Sequence, residues 1–155
     1  MNNDFLIANA VYRGKNSNNE WIKGSLHKWK EGDTFIITGA EGIDVEPSTI
    51  GIYTGFGDYF TGDIIKSEPD NKIGVICFGE YRSLRKKSIG NSKHTRMEYH
   101  IGIYIEWIGK AKDLLRQDFG YWARKDYVHR IGNIFDNPEL LGGRVYADFF
   151  SKKGA

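Results

Sequence analysis

Apolar and polar positions alternate in short runs broken by glycine, a pattern of strands more than of helices. The clearest case is "MEYHIGIYIEWIG", where His100, Gly102, Tyr104 and Glu106 oppose Ile101, Ile103, Ile105 and Trp107. "FLIANAVYR" and "EWIKGSLHKW" flank the turn-forming "GKNSNN" and predict a β-hairpin. In its second arm Trp21, Lys23 and Ser25 share one face, and Ile22, Gly24 and Leu26 the other. "EGDTFIITG" predicts a further strand, and "VEPSTIG" a turn or one helical turn opened by Pro47. Strands are also predicted through Ile52 and Tyr53, over 63–66, in the buried run "IGVICFGEYR" and in "YVHRIGNIF". From residue 83 to 96, "SLRKKSIGNSKHTR" carries no clear period and reads as a polar loop.

Two segments read as helix. Ala111, Leu114, Leu115 and Phe119 have helical spacing and predict a short helix near 111–118. "DNPELL" predicts another near 137–141, with Asn137 as N-cap and Pro138 at the first position, where a missing N–H costs nothing. No repeat of 20 to 50 residues and no linker interrupts the chain. The expected fold is therefore a mainly β single domain of barrel-like or sandwiched antiparallel strands with short helices.

Composition narrows the function classes. With 40% hydrophobic and 27% charged residues and net charge +2, the chain is neither disordered nor strongly basic. Its 19 glycines against 3 prolines fit a strand-and-turn architecture. The lone Cys77 forms no internal disulfide, and its apolar neighbours in "GVICFG" read as core. With no basic segment followed by an apolar run at the start, and no 18-residue apolar window, the expectation is a cytoplasmic protein without a membrane partner.

"GIYTGFGDYFTGDIIK" places Gly57 and Gly62 at the glycine spacing of a phosphate-binding loop. Such a loop needs Lys and Ser or Thr after the second glycine, and then a helix. Asp63 and Ile64 occupy those places, and "DIIK" reads as a strand, so no nucleotide is expected. His27, His94, His100 and His129 lack zinc-ligand spacing, Glu98 and Glu106 merely alternate along a strand, and no nucleophile elbow is present. The expectation is a protein that is not an enzyme, with no cofactor and no metal.

Four strings, "YRGKNSNNEWIKGSL", "VEPSTIGIYTGFGDYFTGDIIK", "LLRQDFGYWARK" and "RIGNIFDNPELL", occur in this order over residues 12–141. Together they resemble the YopX family of bacteriophage and prophage proteins. The departure is at "GFGDYF", shorter than the "DKNG"-type turn usual in that family. The resemblance implies a mostly β fold, a phage or prophage origin and no catalytic residue to carry over. Gly55, Gly57, Gly62, Asp63, Gly132, Asn133, Asn137 and Pro138 then read as a structural signature, the first three as tight-turn positions.

Two functions of different class remain. One is an interaction or assembly protein that associates with itself as a homo-oligomer, or with a host or phage protein, using its many aromatics. The other is a single-stranded nucleic-acid binder. Residues 82–96 hold Arg82, Arg85, Lys86, Lys87, Lys93 and Arg96 with no acid among them, and Tyr81 and Tyr99 lie just outside.

Overall fold

Gly, Asn and Asp bound several of the strands, as at Asn16, Asp33 and Gly90-Asn91, and every strand pairing among the described residues is antiparallel. The computed structural model describes residues 11–28, 32–38, 41–109, 116–144 and 149. The fold is mainly β, and the chain divides between Thr61 and Gly62 into two compact units.

The first unit holds β1 (Tyr12–Lys15), β2 (Trp21–Lys28), β3 (Thr34–Thr38), β4 (Glu41–Asp44) and β5 (Gly51–Ile52), in the sheet order β4-β3-β2-β1-β5. The expected first hairpin is β1–β2, in the register Tyr12↔Gly24 to Lys15↔Trp21. Asn16 closes its turn: the side-chain oxygen accepts from the amides of Asn18 and Glu20 at 3.0 and 2.9 Å. Pro47–Thr49 forms the single helical turn expected there, as a 3₁₀ turn capped by Glu46.

The second unit holds β6 (Asp63–Ser67), β7 (Ile73–Ile89), β8 (Ser92–Trp107), β9 (Arg116–Asp118), α1 (Phe119–Arg124) and β10 (Val128–Asn133), in the order β10-β6-β7-β8-β9. Its core gathers Ile64, Val75, Cys77, Tyr81, Tyr104, Ile134, Leu141 and Phe149.

Two expectations change. Of the helix predicted near 111–118, residues 111–115 lie outside the described residues, and 116–118 are strand. Pairing with β8 overrides the local spacing there, with Arg116 opposite Glu106 and Asp118 opposite Tyr104. The helix begins at Phe119, where the Asp118 carboxylate accepts from the Tyr121 amide at 2.8 Å.

The second correction concerns 82–96, which is no loop. It is the outer part of the β7–β8 hairpin, paired residue for residue from Arg82↔Tyr99 to Ile89↔Ser92. The turn is Gly90-Asn91, with Gly90 at φ 59°, matching the type II′ preference for glycine first. Polar side chains on both strands hid the alternation.

Gly79 and Gly102 lie opposite each other where this hairpin leaves the five-stranded sheet. Gly79 has φ 149°, a backbone region essentially confined to glycine, whereas no such angle marks Gly102, and a Cβ at either meets nothing within 4 Å. Gly79→Ala is therefore expected to cost about 1–3 kcal/mol, with Gly102→Ala near neutral. Urea denaturation of both variants checks this, and equal losses would contradict the assignment of strain to Gly79.

Candidate interaction surface on the β7–β8 arm

One unbroken register builds the arm. β7 and β8 pair from Gly74↔Trp107 to Ile89↔Ser92 without a bulge. β6 pairs β7 only at Ile73, Gly74 and Val75, and β9 pairs β8 only at Tyr104, Ile105 and Glu106. Among the described residues no third strand joins the ladder beyond these positions. At about 3.3 Å per residue, the stretch 79–89 extends roughly 33 Å as a two-stranded arm.

Alternation assigns its side chains to two faces. On the Cys77 face, Cys77, Tyr81, Tyr104 and Glu106 are buried. The Gly79/Gly102 row has no side chains, and Tyr81 stacks across it on Tyr104 with ring centroids 4.9 Å apart. Tyr81 also stacks on His100 at 4.9 Å. Farther out this face is polar: Ser83 Oγ lies 2.8 Å from His100 Nε2, and Arg85 pairs with Glu98 at 3.3 Å. Burial raises the Cys77 thiol pKa, with the Glu106 charge adding to it, so the thiol stays protonated and unreactive. Burial likewise raises the Tyr104 hydroxyl.

The Ile76 face is different. Ile76, Ile105 and Trp107 are buried at its base, where the Trp122 ring of α1 meets Trp107 edge-on at 5.0 Å. The Gln117 side-chain oxygen accepts from both indole N–H groups, at 2.8 and 3.0 Å. Beyond that point the apolar side chains continue but the cover stops. Phe78 is 53% exposed, Ile101 75% and Tyr99 77%, and Leu84 and Met97 are also exposed. Glu80 and Arg82 interrupt this stripe in successive rows.

The basic residues are not gathered on one face. Register places Arg82, Lys86 and Lys93 on the Ile76 face and Arg85 and Arg96 on the Cys77 face, all exposed. Lys87 pairs with His94 in the ladder. The segment nevertheless carries strong local charge: residues 82–96 include six cations and no acid, and Arg85 reaches Glu98 just outside. Removing the six from the chain's 22 basic residues leaves 16 against 20 acidic ones.

The other predicted positions build turns. Gly55, Gly57 and Gly62 have φ of 83°, 49° and 92°, and Tyr53 bridges to Phe60 across the turn. The Tyr53 hydroxyl donates to the Gly57 carbonyl at 2.6 Å. A strand, not a helix, follows Gly62. Asp63 is fully buried, with its carboxylate 3.3 Å from Arg130 Nη1.

In the late block the Asn133 side-chain oxygen accepts from the amides of Phe135 and Asp136. Asn137 occupies the N-cap position with Pro138 at the first helical position, but its side chain makes no capping hydrogen bond. It accepts instead from the Asn133 amide at 3.2 Å, packed where a Cβ on Gly132 would clash with it.

Nothing in the local sequence pattern sets Phe78, Leu84, Met97, Tyr99 and Ile101 apart as a surface. Gly90-Asn91, a two-residue hairpin signal, was the available clue. Among the described residues no three His, Cys, Asp or Glu side chains form a metal-binding group, and no helix is long and apolar enough to cross a membrane. No family model, no curated protein and no solved structure matches the chain.

Proposed function

We propose that this chain is a YopX-like phage or prophage protein of the bacterial cytoplasm, non-catalytic, acting by association through its β7–β8 arm. Its partner is a further copy of itself or another phage or host protein. The observation that carries this reading is the uncovered apolar stripe of Phe78, Leu84, Met97, Tyr99 and Ile101 on a ribbon only two strands wide. An isolated two-stranded hairpin is marginally stable in water, and a contiguous exposed apolar face of this kind marks a contact surface.

A second reading, binding of single-stranded nucleic acid, is favoured by the cations of 82–96 and the exposed ring of Tyr99. The two readings separate by fluorescence anisotropy with a labelled single-stranded oligonucleotide at two salt concentrations. The association reading expects no specific binding. Binding that weakens steeply as salt rises, and is lost in Arg82→Ala/Lys86→Ala/Lys93→Ala, replaces it with the nucleic-acid reading.

A further inference from the structure

We infer that the occupant of the Ile76 face is the same face of a second copy, with the two arms packed antiparallel about a two-fold axis. This rests on the association reading above and names its partner. The order of rows along the arm favours this partner. From the base outward, register sets Phe78 beside Ile103, Glu80 beside Ile101, Arg82 beside Tyr99, Leu84 beside Met97, and Lys86 beside Thr95. Glu80 and Arg82, both exposed, occupy adjacent rows between two fully apolar ones.

The four rows from Phe78 to Leu84 are complementary to themselves in reverse. A two-fold axis passing between the Glu80 and Arg82 rows, perpendicular to the strands, lays β7 over β7 and β8 over β8 of the second copy. Glu80 then faces the second copy's Arg82, and Arg82 its Glu80. Phe78 and Ile103 cover the other copy's Leu84 and Met97, and Ile101 meets its Tyr99. Every exposed apolar residue of these four rows finds an apolar one, and their two charges, Glu80 and Arg82, find opposite charges.

Charge also selects direction. A parallel packing would set the two cation-rich ends, each with six basic residues and no acid over 82–96, side by side. Antiparallel packing puts them at opposite ends of the contact, where screening separates them. Edge-to-edge pairing of the strands would leave the apolar face in water, so face-to-face packing is the arrangement that accounts for its composition.

Size-exclusion chromatography with light scattering, run across a range of protein concentrations, tests this on the full chain. The expected mass is that of two chains. Ile101→Lys, at an exposed position where folding does not depend on the side chain, is expected to give one chain. Glu80→Arg and Arg82→Glu each set like charges together and are expected to weaken pairing at least about tenfold. The double variant E80R/R82E restores opposite charges and is expected to recover most of the wild-type affinity.

A one-chain mass at every concentration overturns the inference. So does a two-chain mass indifferent to Ile101→Lys, or a double variant no stronger than the singles. These outcomes differ from failure of the association reading, which is marked by salt-sensitive oligonucleotide binding. A monomer that ignores DNA removes only the self-pairing.

Discussion

Trp107→Ala is expected to lower the unfolding free energy by about 3–5 kcal/mol. Trp107 is 1% exposed, and its ring sits where three supports converge. Trp122 meets it edge-on at 5.0 Å, the Lys72 ammonium lies 5.5 Å from its centroid, and Gln117 receives its N–H at 2.8 Å. Opposite it in the ladder is Gly74, where a Cβ would stand 2.8 Å from the ring, so the missing side chain is what seats the indole. Truncation to Ala leaves a large void on a well-packed face, and it removes one of the two indole N–H groups from which Gln117 accepts. Urea unfolding followed by circular dichroism measures the loss. A change under about 1 kcal/mol would mean that the Trp107–Trp122 contact does not hold α1 on the sheet.

Arg116→Met is expected to cost about 3 kcal/mol, and E106L/R116M much less. Glu106 is buried on the Cys77 face, and Arg116 is its direct partner on β9, with Nη2 3.1 Å from the carboxylate. Removing the guanidinium leaves a buried negative charge, and desolvation without compensation is what destabilises. Arg144 remains 3.9 Å away and keeps the loss toward the lower end of the usual range. Replacing both partners with apolar residues removes the charge and the penalty together. The comparison is made by urea denaturation of the wild type, the single and the double variant. A double variant as unstable as the single would show that the site needs the carboxylate for other reasons.

Much of the fold was legible in the chain because its signals are local. "GKNSNN" specified its hairpin through Asn16, whose side chain bonds to backbone amides within four residues. Pro47 and Pro138 marked the 3₁₀ turns because a fixed φ and a missing donor suit the first helical position. Gly55, Gly57 and Gly62 turned the "GIYTGFGDYFTGDIIK" stretch with positive φ, and β-branched Ile64 and Ile65 extended it into β6. The alternation of residues 97–109 also fixed which side chains share a face of β8.

What the chain by itself did not decide was which faces are covered. On β8 the alternation sets Ile101, Ile103, Ile105 and Trp107 on one face as a single apolar set. Yet Ile105 and Trp107 are buried while Ile101 stands 75% exposed, and Glu106 on the opposite face is inside. Cover depends on where neighbouring strands and α1 stop, and that is set by pairings far apart in sequence. The same holds at 116–118, where partners on β8 turned a helically spaced run into strand. It holds again for 82–96, whose polar residues carry no burial signal because, among the described residues, no further strand joins either side of the hairpin there. Local periodicity therefore determined the strands and turns of this protein. Long-range pairing alone decided that two of those strands run on past their sheet and leave an apolar face in the open.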